Sequence, residues 1–87
     1  MTRVKVSKVI DGDTFEDTRH RFFRLAGVDA PEKNERGYDK TKENLRVMIQ
    51  GEELVVKQVA ESYGREVIKA RIPGEKTTVN SKMKRKL

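Results

Sequence analysis

Val4-Lys5-Val6-Ser7-Lys8-Val9-Ile10-Asp11-Gly12-Asp13-Thr14-Phe15-Glu16 is the stretch whose reading decides the fold. Val4 and Val6 alternate with charged side chains, the period of a strand with one buried face. Val9 and Ile10 then break the phase near Ser7, as an inserted bulge residue would. Asp11-Gly12-Asp13 reads as a tight turn, because glycine enters positive φ without steric cost. Thr14 to Glu16 begins a second, short strand, so the chain opens as a bulged hairpin.

Outward from this hairpin, polar Asp17-Thr18-Arg19-His20 leads into Arg21-Phe22-Phe23-Arg24-Leu25-Ala26-Gly27-Val28. On a third strand there, Phe23 and Leu25 share one face and Arg24 takes the other. Pro31 and the polar run from Glu32 to Gly37 make a loop. Tyr38, Leu45, Met48 and Ile49 recur at helical spacing, which predicts an amphipathic helix from Tyr38 to Gln50 ended by Gly51. Leu54 to Val59 is the next strand, Glu61-Ser62-Tyr63-Gly64 the next turn, and Val67 to Ile72 the last strand. Pro73-Gly74 breaks that strand, and a short helix begins near Val79. The order β-β-β-α-β-β, mainly β with one or two helices, suits a five-stranded OB-like barrel. At 87 residues the chain has room for one domain, residues 1–87.

Composition narrows the class further. There is no cysteine, so no disulfide supports a fold this small. Met1 to Ile10 lack the unbroken apolar core of a signal peptide, and no stretch is long and apolar enough to span a membrane. The expectation is a soluble, cytoplasmic domain. Charged residues make up 39% of the chain and the net charge is +6, which favours polyanionic partners such as DNA or RNA. Part of that excess is local, in Lys76, Lys82, Lys84, Arg85 and Lys86, where a solvated end explains it equally well.

Three features carry chemistry: Asp11-Gly12-Asp13-Thr14, the run from Arg24 to Glu32, and Tyr63-Gly64-Arg65. An EF-hand is excluded, because Phe15 occupies a ligand position and the glycine comes too early. There is no P-loop, no zinc-ligand set and no Ser/His/Asp arrangement, and His20 is expected on an exposed hairpin. If the first and third strands were neighbours, Asp13 and Asp29 would be able to share one hard cation through oxygen. Phosphodiester hydrolysis needs such a cation, a positioned water, and positive charge where the transition state gains negative charge. Glu32 suits the water, and Arg24 and Arg65 suit a bidentate phosphate clamp. The plainer readings are a structural turn at Asp11-Gly12-Asp13 and surface ion pairs at the arginines.

Val9 to Phe15, Phe23 to Glu32, Tyr63-Gly64-Arg65 and Val79-Asn80 together resemble the staphylococcal nuclease (thermonuclease) family, in its order and at near-family spacing over almost the whole chain. The resemblance implies a Ca²⁺ site made by the side chains of Asp13 and Asp29 and the carbonyl of Ala30. It implies that Glu32 contacts the metal or its water, and that Arg24 and Arg65 bind the scissile phosphate. It also implies release of the 5′ oxygen and products ending in 3′-phosphate. Tyr63 matches a position near the bound nucleotide, where it either stacks on a base or serves the turn. The chain ends at Leu87, where family members continue with another helix, so an exposed apolar face is expected, and with it either self-association, most simply as a homodimer, or partial disorder at the C-terminus. The leading expectation is therefore a Ca²⁺-dependent endonuclease with little sequence preference. The alternative is an OB-fold domain that binds nucleic acid without cutting it, and a protein-interaction module has least support.

Overall fold

The bulge expected near Ser7 is present. β1 (Thr2–Asp11) pairs antiparallel with β2 (Thr14–Asp17), and the register slips between Val6 and Lys8. The slip keeps Val4, Val6 and Val9 on the buried face despite the change of phase. A computed structural model describes residues Thr2–Leu87. β3 (Phe22–Leu25) follows, then α1 (Tyr38–Ile49), β4 (Glu53–Ser62), β5 (Arg65–Arg71) and α2 (Val79–Arg85). The strands close into a barrel in the order β1-β2-β3-β5-β4, with β3 and β5 parallel and every other neighbour antiparallel. This is a mainly β, OB-like barrel carrying two helices.

Two expectations need correcting. β1 and β3 are not neighbours, because β2 lies between them. The last hairpin is also longer than the side-chain pattern predicts: β4 runs to Ser62, β5 starts at Arg65, and only Tyr63 and Gly64 turn. Both take left-handed φ, 50° and 76°, as a two-residue hairpin turn with primed geometry requires. The outer part of β4, from Lys57 to Ser62, buries no side chain, so Ala60 to Ser62 show no alternation that would carry the strand past Val59.

Phe15 and Phe23, cross-strand partners in β2 and β3, stack at 5.3 Å in the middle of the core. Leu25, Leu54 and Ile68 surround them, α1 contributes Leu45 and Ile49, and α2 contributes Val79 and Met83. Arg24 lies between the inward Phe23 and Leu25 and therefore points outward. Between β2 and β3, buried Asp17 accepts hydrogen bonds from the backbone N–H groups of Arg19 (3.0 Å) and Arg21 (2.8 Å) and from Arg21 Nε (2.9 Å). Burial pushes its carboxyl pKa up, but these bonds and the Arg21 charge outweigh that and hold it below the ordinary value. His20 is exposed at the same connection, with φ 65°.

Candidate functional site

Three chain segments meet beside the end of β1. The turn Asp11-Gly12-Asp13-Thr14 is held from one side by α1, whose first residue, Tyr38, donates its hydroxyl to Asp11 Oδ1 at 2.7 Å, with Ile10 O a second acceptor at 3.2 Å. That bond raises the Tyr38 pKa above the usual phenol value, because ionisation would remove the donor and set two anions together. From the other side, Leu25 N–H donates to Asp13 O at 2.8 Å, tying the turn to the end of β3. Gly12 is not at positive φ, so conformational freedom is not why glycine stands there. A Cβ at Gly12 would lie 2.4 Å from Thr41 Cγ2 and 3.0 Å from Ala30 Cβ. The turn, α1 and the Ala30 loop close to a separation that only glycine permits.

The result is one open cleft of about 480 Å³, lined by Asp11, Asp13, Asp29, Glu32, Arg24 and Arg65 together with Ala30, Pro31 and Lys33. Asp13 and Asp29 thus reach one cleft without adjacent strands, because the β1–β2 turn and the loop after β3 do the work that strand pairing was expected to do. Arg24 Nη2 lies 3.6 Å from Asp13 Oδ2 and donates to Val28 O at 3.2 Å. Arg65, at the start of β5, lies 3.4 Å by Nη1 from Thr14 Oγ1, which itself donates to Asp13 Oδ1 at 2.9 Å. Both guanidiniums are therefore linked to Asp13, one directly and one through Thr14.

Tyr63 does not line the cleft. It sits at the tip of the β4–β5 turn, 97% exposed, two residues before Arg65. Its side chain belongs to the turn and not to the core.

The donors in the cleft are all oxygen, a set suited to a hard cation such as Ca²⁺ and unsuited to a soft one. Among the described residues no three Asp, Glu, His or Cys side chains are gathered into a finished metal cluster. Asp11, Asp13, Asp29 and Glu32 thus line the cleft without forming such a cluster.

Asn80 matters to the site's construction although it lies outside the cleft. Buried on α2, it accepts from Ala70 N–H (2.9 Å) and donates Nδ2–H to Ala26 O (2.8 Å) and Ile68 O (3.0 Å). It therefore fastens the end of β3 to β5, the strands that bear Arg24 and Arg65. The detectable signal was an asparagine directly after Val79 at the start of an amphipathic helix, a polar residue on a face that buries Val79 and Met83. Asp11, Lys33 and Tyr38 are further residues that the sequence reading did not assign to the site. For Tyr38 the helical period explained the residue as packing and left its hydroxyl unaccounted for.

The fold and cleft define an OB-like barrel with a mixed-charge, oxygen-rich site at one rim. No family model matches the chain, and no curated protein matches it significantly.

Proposed function

We propose that this protein is a Ca²⁺-dependent nuclease of the staphylococcal nuclease type, cutting DNA or RNA phosphodiesters with little sequence preference. One observation carries the reading. A single cleft is lined by Asp13, Asp29 and Glu32 and also by two guanidiniums, Arg24 and Arg65, from neighbouring parallel strands. A purely structural cluster of these charges would pair them off within the fold. Here neither Asp29 nor Glu32 forms an ion pair among the described residues, and Arg65 pairs with no carboxylate.

Asp13 and Asp29 would hold the cation with the Ala30 carbonyl, and when bound it supplies Lewis-acid polarisation of a phosphoryl oxygen. Glu32, exposed on the loop after Pro31, orients the attacking water. Water adds to phosphorus, the bond to the 5′ oxygen breaks, and that oxygen leaves with a proton. Arg24 and Arg65 meet the equatorial oxygens as their negative charge grows, each with a planar fork matched to two oxygens. Tyr63, exposed beside Arg65 in sequence, offers a face for a base to stack on. The outward-facing oxygen-rich cleft reads phosphate and sugar more than base edges, which accounts for weak sequence preference.

The test is cleavage of single- and double-stranded DNA and RNA with Ca²⁺ and with EDTA, alongside Ca²⁺ titration calorimetry of the wild type, Asp13→Asn and Asp29→Asn. Cleavage that requires Ca²⁺, and Ca²⁺ affinity that falls in both variants, are expected. Binding of nucleic acid without cleavage under any metal condition would replace this reading with that of a binding domain.

A further inference from the structure

A second cleft, of about 310 Å³, continues from the first. The two share Asp29 and Pro31, and the second is flanked by Arg36, Lys40, Asn44 and Lys86. Arg36 ends the loop before α1, Lys40 lies in its first turn, and Lys86 follows α2. Among the described residues none of these three cations pairs with a carboxylate side chain. Their placement also works against local stability. Arg36 and Lys40 stand at the start of α1, where the aligned peptide dipoles disfavour positive charge. Cations gathered on one cleft, two of them at a helix end that opposes positive charge, are explained by an anion from outside the protein.

We infer that this second cleft holds the flanking phosphates of the same polynucleotide strand whose scissile bond lies in the first cleft. This rests on the nuclease reading above and extends it: the strand leaves the reaction centre past Asp29 and Pro31, toward α1. Phosphodiester oxygens meet Arg36, Lys40 and Lys86 there, and Asn44 offers an amide to the sugar-phosphate chain. The single carboxylate side chain lining the second cleft, Asp29, stands at the junction with the first. The remainder therefore presents net positive charge to the strand.

The test is fluorescence-anisotropy binding of a labelled single-stranded oligonucleotide over a salt series, in EDTA so that the strand stays intact. Each phosphate neutralised adds about 0.7 to the slope of log affinity against log salt for a single strand, so Arg36→Gln/Lys40→Gln should lower that slope by about 1.4. The comparison protein is Lys57→Gln/Lys69→Gln, which loses the same two charges from a facing pair on β4 and β5 remote in topology from both clefts. Its slope should stay near the wild-type value. All four side chains are exposed, so thermal unfolding should be nearly unchanged in both double variants. A wild-type slope in Arg36→Gln/Lys40→Gln, or an equal loss in the comparison protein, would overturn the inference and leave the nuclease reading standing. Absence of binding by the wild type even at low salt would also overturn the inference, whereas the nuclease reading falls only if cleavage with Ca²⁺ is absent.

Discussion

Gly12→Ala isolates the contact that brings the aspartate turn against α1. The added methyl would sit 2.4 Å from Thr41 Cγ2 and 3.0 Å from Ala30 Cβ, where carbon atoms prefer about 3.5–4.0 Å. Thr41 is buried in the second turn of α1 and its β-branched side chain has few rotamers to retreat into. Overpacking of this kind costs about 1–3 kcal/mol. Against it stands the smaller entropy of an unfolded chain with alanine in place of glycine, about 0.4–1 kcal/mol, available because Gly12 is not at positive φ. The clash wins, leaving a net loss of about 1–2 kcal/mol. For a domain this small that is a fall in Tm of about 4–16 °C. Thr41→Ser removes the offending methyl and keeps the hydroxyl. The double variant should therefore be more stable than the sum of the two single changes by about 1 kcal/mol, measured by urea unfolding of all four proteins. A Gly12→Ala protein as stable as its parent, or strictly additive changes in the cycle, would refute the claim that close approach selects glycine here.

Arg65→Lys keeps the charge but loses the two-pronged fork, so single-turnover cleavage should slow by roughly a hundredfold or more while affinity for a short oligonucleotide changes little; a rate within about threefold of wild type would place Arg65 outside the chemistry. Asp17 has a lowered folded pKa, so its stabilising contribution is complete above about pH 4 and drains away as pH falls from there through the folded value. Urea unfolding should accordingly show Asp17→Asn less stable than wild type by a constant amount near neutrality, and the gap should narrow in acid; a gap unchanged well below pH 4 contradicts this sign. Asn80→Ala strips the Asn80 partner from Ala70 N–H and Ala26 O, while Ile68 O keeps Ala26 N–H, and each buried polar group left without a partner costs about 1–3 kcal/mol. Calorimetric melting should show Asn80→Ala among the most damaging single changes in α2, well beyond Ser81→Ala; equal effects would deny Asn80 its fastening role.

Much of the barrel was legible because burial imposes a period. Phe23 and Leu25 face inward with Arg24 outward, the bulge falls at Ser7, and α1 starts at Tyr38 as expected and ends at Ile49, one residue before its expected end at Gln50. Where no face is buried the period vanishes, and the last residues of β4, Ala60 to Ser62, were therefore missed as strand. Strand adjacency is also invisible to period, which is why β1 and β3 were taken as possible neighbours. For the cleft, Asp13, Arg24, Asp29, Ala30, Glu32 and Arg65 were nameable as residue types in a pattern, and all six line one space. What holds them there was not legible. The Tyr38–Asp11 bond spans 27 positions and the Asn80–Ala26 bond spans 54, and no local rule of spacing reports contacts so distant along the chain.

The parallel seam between β3 and β5 has a consequence for partial opening of the molecule. Every carboxylate of the cleft, and Arg24, lies within the first 32 positions, on the three-stranded meander and the loop that follows it; Arg65 alone arrives from the other hairpin. The seam that delivers it is short, pairing Phe23, Arg24 and Leu25 with Glu66, Val67 and Ile68. A fluctuation that parts only those few residues would leave the meander folded and its aspartates in place, yet take away one of the two guanidiniums. The proposed activity should then be lost to heat below the temperature of global unfolding, with the amides of the β3–β5 seam exchanging before those of the β1–β2 hairpin.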